Sequence, residues 1–300
     1  MTTTKSRLAR ALTSEKLAVT AECLPPRSGD ATAVKKLAAA LPQRLDAVVV
    51  ADNPDEIHGS ALACAAVLAA EGRECVLSMV TRDRNRIALE STALGAATLG
   101  VHAILCLSGD HQTLGICAQA AGVHDIDSVQ LTQALKKMAR EGLDFNDRPI
   151  DPRPELLLGA IAHPYQRPLD LNLFRLKKKI AAGADFLLTQ AVFDLPGFTQ
   201  WMDAVRAAEL DKKAAIIASV LPLTSVDKAK VLAERRTYGP VEESVIARLS
   251  KASDAVQEGV AMAAQMAARL KEIPGVRGIH ILCGGCESLA TRVIEQAGLA

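Results

Sequence analysis

Aromatic side chains are scarce in this chain, with one Trp, two Tyr and five Phe among 300 residues. That argues against a stacking platform for single-stranded nucleic acid and leaves the core to Ala, Leu, Val and Ile. An excess of one charge is also missing. The 35 basic and 34 acidic residues give a formal net charge of +1, so nothing electrostatic favours nucleic acid or an anionic membrane. The longest uncharged run, 91–109, is broken by Gly95, Gly100, His102 and Ser108. It reads as a helix end followed by a buried strand, not as a membrane span. Residues 1–13 are basic and hydroxyl-rich but lack the apolar stretch of a signal peptide. A frayed lead-in helix is expected over 1–14, with a transit peptide as the alternative. The seven cysteines are odd in number and irregularly spaced, so they form no disulfide framework. They suit a reducing cytoplasm. Cys64, Cys75, Cys106 and Cys117 lie in apolar runs and are expected to be small buried hydrophobes.

What the sequence does have is repetition. Short apolar runs occur at 17–23, 46–51, 74–80, 102–107, 156–162, 185–190, 214–221 and 276–283. They are continuously apolar, as strands buried on both faces must be. Helical patterns lie between them, at 32–40, 59–71, 84–99 and 171–182, the last stopped by Gly183. Eight strand–helix units imply a parallel sheet closed on itself. We therefore expect an α/β chain forming a single (β/α)8 TIM barrel over 1–300. Extra helices are expected after strand 4, at 128–141, and after strand 7, within 224–273. The competing doubly wound sheet would carry a glycine-rich first turn, and no G-x-G-x-x-G or Walker motif is present.

In such a barrel the active site lies where the strands end. Strand 1 ends in Glu22, with Pro25-Pro26-Arg27 after it. A half-buried carboxyl there is expected to have a raised pKa and could act as a general acid. It could equally be bridged to Arg27. Asp110, after Ser108-Gly109, could contact a ligand, or could be an N-cap or turn residue. Gln190 ends strand 6 with an amide that both donates and accepts, suiting a heterocycle of mixed edges; otherwise it bonds a loop backbone. Asp83, in the charge-dense Arg82–Arg86 segment, is expected to cap the next helix, although an opened helix N-terminus could also hold a phosphate. Lys177-Lys178-Lys179 reads as a solvated face from which one lysine could reach an anion. His280, Cys283 and Cys286 have H-x-x-C-x-x-C spacing, but no second C-x-x-C exists, so no metal site is expected.

Several segments together resemble the methylenetetrahydrofolate reductase family. They are Glu22-Cys23-Leu24-Pro25-Pro26-Arg27, Arg82-Asp83-Arg84-Asn85-Arg86-Ile87-Ala88-Leu89, Cys106-Leu107-Ser108-Gly109-Asp110, Leu176-Lys177-Lys178-Lys179-Ile180 with Ala182-Gly183-Ala184-Asp185, Leu188-Thr189-Gln190 leading to Phe193-Asp194, and Leu221-Pro222. They occur in the family's order along nearly the whole chain. The resemblance implies noncovalent FAD at the barrel mouth and hydride transfer from flavin N5 to 5,10-methylenetetrahydrofolate, giving 5-methyltetrahydrofolate. It casts Glu22 as the acid that protonates N10, Asp110 as the aspartate beside flavin and pterin, and Gln190 as the pterin's amide partner. Cofactor contacts would fall on Ala51, Ser78, Ser108, Gly109, Asp110, His163, Asn172 and Lys179. Several family positions differ here. Ala51 and Ser78 replace a threonine and a histidine at the flavin, His163 a tyrosine, and Val226 the phenylalanine that stacks a nicotinamide. Cys23, Leu24, Ala191 and Val192 stand where relatives often carry aromatics. The expected electron donor is NAD(P)H or a partner protein such as an iron–sulfur subunit. The chain is expected to be a homo-oligomer or a subunit of a complex. The alternatives are a pterin-binding barrel that transfers methyl groups without flavin, and a non-catalytic subunit.

Overall fold

In the computed structural model, residues 6–299 are described apart from 55 and 236–238. Eight parallel strands close in sequence order, β1 pairing with β2 and onward until β8 returns to β1. They are β1 (Ala18–Cys23), β2 (Ala47–Val50), β3 (Cys75–Val80), β4 (Ala103–Leu107), β5 (Leu157–Ala162), β6 (Phe186–Ala191), β7 (Ala215–Val220) and β8 (Val276–Ile281). Each falls within a residue or two of an apolar run in the sequence.

The surrounding helices are α1 (Arg7–Thr13), α2 (Ala31–Ala40), α3 (Ala61–Ala70), α4 (Arg86–Thr98), α5 (Ser128–Glu141), α6 (Leu169–Ala181), α7 (Leu195–Ala207), α8 (Val226–Arg235), α9 (Glu243–Lys251), α10 (Ala255–Leu270) and α11 (Ser288–Ala297). The helix expected after strand 4 is α5. Asp127 and Gln130 bond each other's backbone in a capping box, and Gly142, at φ +70°, ends the helix in the left-handed region. A 3-10 turn, Gln112–Leu114, precedes α5 in the same connection. After strand 7 come α8 and α9, ahead of α10.

Two apolar clusters explain the strand composition. Alternate strand residues such as Ala21, Val48, Leu77, Ile104 and Leu187 pack outward against the helices. Their neighbours Ala18, Val49, Val76, Leu105, Leu157, Phe186 and Ile217 fill the barrel interior. Both faces are therefore dry, and a continuous apolar run replaces alternation. The interior cluster also contains Leu8, Ala9 and Leu12 of α1. Residues 6–13 are thus not a frayed lead-in. Ser6 accepts from the Ala9 N–H at 3.1 Å, and the two leucines, one turn apart, pack into the barrel interior. Cys64, Cys75 and Cys106 are buried, but Cys117 is exposed, because its run belongs to the loop after β4 and not to a strand.

Gly159 of β5 faces Phe186 inside the barrel, and a methyl group there would lie 2.2 Å from the ring. Gly159→Ala is therefore predicted to destabilise the fold by about 1–3 kcal/mol through overpacking, measured by urea unfolding. Wild-type stability in that variant would contradict this picture of the interior.

Candidate functional site

At the C-terminal mouth a cleft of about 1020 Å³ opens between the loops after β1, β2, β3, β4, β7 and β8. Aliphatic residues such as Leu24, Ile57, Leu114, Leu223, Val231 and Leu232 alternate on its walls with polar and charged ones, Glu22 and Asp110 among them. Apolar residues with polar groups placed among them are usual for a small-molecule site.

Glu22 and Asp110 both line this cleft. Glu22 takes the inward position because Ala18, two pairs below it on β1, points into the barrel. Its Oε2 accepts from the main-chain N–H groups of Cys283 and Gly284, each at 3.0 Å. Arg27, the bridging partner considered from sequence, pairs with Glu56. Asp110 is exposed and is not a helix cap; Asp127 caps α5. Its loop is held from below by Arg82, which is buried. The Arg82 guanidinium binds the Asp83 carboxylate through two nitrogens (2.7 and 2.8 Å) and also donates to the carbonyls of Asp110 and Asn53, each at 2.9 Å. That clasp ties together the loops after β2, β3 and β4. It holds the Asp83 carboxyl below the usual carboxylate range, mainly through the hydrogen bond from Arg82. Asp83 therefore does not cap α4. Asn85 does, accepting from the Ala88 N–H at 3.0 Å.

Ala51 and Ser78 continue the inward registers of Val49 and Val76 and lie within the barrel, with Ser78 buried. Ser108 bonds Ser128 at 3.1 Å. Gly109 adopts φ +82°, and a Cβ there would lie 2.5 Å from Val80, so only glycine fits. Gln190 is half-buried beside the β6–β7 register shift between Leu188 and Ala191. Such bulges at barrel rims re-aim side chains. Glu22 and Asp110 are thus brought together, while Gln190, Ala51, Ser78, His163, Asn172 and Lys179 are not among the residues lining this cleft.

The last three belong to a second group, at β5 and α6. Lys179 Nζ donates to the Ile161 carbonyl at 2.5 Å. Burial lowers its pKa and Arg175 lowers it further, against a smaller opposing effect of Asp127. His163 is pushed down to about 4 by burial, then by Lys179 and Arg175. Lys179 and Arg175 thus set two positive charges beside a neutral His163, and the diphosphate of a dinucleotide cofactor fits such a donor set. Asn172 has a different role. Its buried amide donates to the carbonyls of His163 (2.6 Å) and Gln166 (3.2 Å) and accepts from the Trp201 indole (3.2 Å). It shapes the loop that carries His163.

Sequence reasoning missed two features of the mouth. Arg82 gave no sign of being the clasp, because two of its partners are carbonyls from other loops. Gln112 lines the cleft, and its buried Nε2 has no hydrogen-bond partner. No signal in the sequence singles it out. No group of three or more His, Cys, Asp or Glu side chains among the described residues is arranged to hold a metal ion. No described helix is long and apolar enough to cross a membrane.

A closed parallel barrel with Glu22 and Asp110 among the carboxylates that line its mouth cleft belongs to a class in which ligand chemistry sits on the strand-end loops. The chain belongs to the methylenetetrahydrofolate reductase family, whose profile matches residues 7–298. It is 27% identical over 163 residues to 5,10-methylenetetrahydrofolate reductase of Salmonella typhimurium, covering 54% of this chain and 49% of that protein. It is 26% identical over 156 residues to methylenetetrahydrofolate reductase 2 of Saccharomyces cerevisiae, covering 47% of this chain and 25% of that one. The matched stretch thus spans about half of the bacterial relative and a quarter of the yeast one. Among solved structures, a Clostridium thermocellum protein described as binding two copies of 5-methyl-5,6,7,8-tetrahydrofolic acid superposes with a TM-score of 0.65 at 14% identity, over 97% of this chain and 99% of that one. At that identity the likeness is one of fold.

The depressed His163 pKa makes stability depend on pH. Its ordinary value of 6.5 falls to about 4 in the fold. Between these values the unfolded chain binds more protons, so stability is full above pH 6.5 and is lost as the pH falls toward 4. The loss is at most about 3 kcal/mol, reduced by solvent screening of a half-buried ring. His163→Gln is predicted to flatten that part of the curve in urea melts taken across the window. An unchanged slope would count against it.

Proposed function

We propose that this chain is a flavin-dependent reductase that converts 5,10-methylenetetrahydrofolate to 5-methyltetrahydrofolate. The observation that carries this is the placing of Glu22 and Asp110 on the walls of one cleft, in a chain of this family. FAD, when bound, supplies the hydride that reaches the folate's methylene carbon. Lys179, Arg175 and His163 would hold its diphosphate, with Ser108–Asp110, Ala51 and Ser78 toward its ring.

Glu22 gives the substrate its proton. Two main-chain N–H groups converge on Oε2, so the carboxyl proton is carried on Oε1. From there it passes to N10, opening the five-membered ring. The two N–H bonds fix the carboxyl orientation for the transfer. Asp110, held through its backbone by Arg82, presents its carboxylate to the pterin, and Gln190 supplies an amide from the β6 bulge. Electrons arrive from NAD(P)H or from a partner protein. The methyl-transfer alternative shares the folate contacts. It draws on two observations: Ala51 has no polar reach, and the Asn172 amide is committed elsewhere.

A flavin spectrum in the purified protein, with reduced flavin reoxidised by methylenetetrahydrofolate, is the expected result. A colourless protein that takes up no FAD but binds folate would favour methyl transfer. Glu22→Gln should lower folate turnover by about 10²–10⁴-fold while flavin reduction proceeds as before. Turnover surviving that change would remove Glu22 as the acid. Rapid flavin reduction by NADH alone would exclude the need for a protein donor.

A further inference from the structure

The last strand ends in Cys283-Gly284-Gly285-Cys286. Gly284 and Gly285 have φ of +54° and +80°, as at the two central positions of a type I′ turn. The Cys286 N–H donates to the Cys283 carbonyl at 3.0 Å and closes the turn. The first and last residues of such a turn have Cα atoms within about 7 Å, and a disulfide spans about 4.4–6.8 Å. A side chain at either glycine would be strained, so the Gly-Gly pair fixes the separation of two thiols. These thiols are not equivalent. Cys286 is exposed, whereas Cys283 is buried in the cleft wall with its thiol 3.6 Å from the Ile281 carbonyl. The turn is also the cradle of Glu22, because its Cys283 and Gly284 N–H groups hold Oε2.

We propose that the Cys283–Cys286 turn is a thiol–disulfide exchange site for low-molecular-weight disulfides, and that its closure to an internal disulfide is coupled to the Glu22 carboxylate. The exposed Cys286 thiolate attacks one sulfur of an external disulfide RS–SR, forms the mixed disulfide and releases one RS⁻. Cys283 then loses its proton and attacks the Cys286 sulfur. The internal disulfide forms and the second RS⁻ leaves. The two cysteines lose two electrons, the external disulfide gains them, and the two cysteine protons end on the two released thiols. Accessibility assigns the first attack to Cys286. Cys283 is the resolving thiol and the slow one, since burial, Glu22 and Glu287 hold its pKa well above the usual thiol value. Cys286 and Cys23 are the other ionisable groups acting on it. A charge on Glu22 therefore slows closure by disfavouring the Cys283 thiolate, and the turn that closes is the one whose Cys283 and Gly284 N–H groups hold Glu22.

The test needs neither folate nor flavin, so its failure is separable from that of the proposed reaction. The full-length protein is equilibrated in mixtures of reduced and oxidised glutathione, alkylated, digested without reductant and mapped by mass. A Cys283–Cys286 link that forms as the mixture becomes oxidising, and opens again in reduced glutathione, is expected. Cys286→Ser should abolish it. Glu22→Gln should speed closure about threefold. Removing the Glu22 charge leaves more Cys283 as thiolate, a gain partly offset by the nucleophilicity lost as a thiol becomes more acidic. Both thiols remaining free at every ratio, or a link from Cys283 to Cys23 instead, would overturn the site. An unchanged rate in Glu22→Gln would overturn the coupling.

Discussion

The mouth of this barrel depends on one carboxylate and two backbone amides. β1 and β8 pair as far as Ala21 and Ile281. Beyond that point the β8 chain leaves the ladder, and the Cys283 and Gly284 N–H groups have no strand to bond. The Glu22 carboxylate receives both. A typical hydrogen bond contributes roughly 0.5–1.5 kcal/mol, and these two settle the seam where the barrel closes and the orientation of the Glu22 carboxyl together. A substitution at Glu22 therefore acts on closure as well as on chemistry. The glutamine variant, which keeps an oxygen to accept both bonds, separates the two effects where alanine would not.

The strands were legible because their physics is local. A residue that faces either the interior layer or the helix layer must be apolar, so eight dry runs announce eight strands. The α5 boundaries were legible for a similar reason, since the cap at Asp127 and the stop at Gly142 act on adjacent backbone. The placing of Glu22 and Asp110 on the mouth cleft was legible, because both follow directly from strand ends. The site was not legible where a side chain's partners come from distant loops. Asp83 read as a cap because it precedes a helix, yet Arg82 outcompetes the helix for it and Asn85 caps instead. Asn172 read as a ligand contact, yet two carbonyls of the β5–α6 loop and the Trp201 indole of α7 already occupy its amide. Polar residues on helices face many candidate partners, and only the folded geometry chooses among them.

The arrangement around the barrel gives the two groups of polar residues a division of labour. Going round from β7 through β8 to β3, the strand-end loops enclose the cleft with Glu22 on its wall. At β5 and α6, Arg175 and Lys179 bring two positive charges beside His163, which burial keeps neutral, and the Lys179 ammonium is anchored on the Ile161 carbonyl. The loop after β4 lies between them, and Asp110 is its exposed carboxylate. A ligand with an anionic end over β5 and an uncharged ring system toward β1 would pass Asp110 on the way. One ligand on each side would meet at it. Arg82 determines where Asp110 lies, since its guanidinium grips the Asp110 and Asn53 backbones at once. The chemistry of the mouth is therefore set less by the exposed aspartate than by the buried arginine beneath it, a side chain that need touch no ligand.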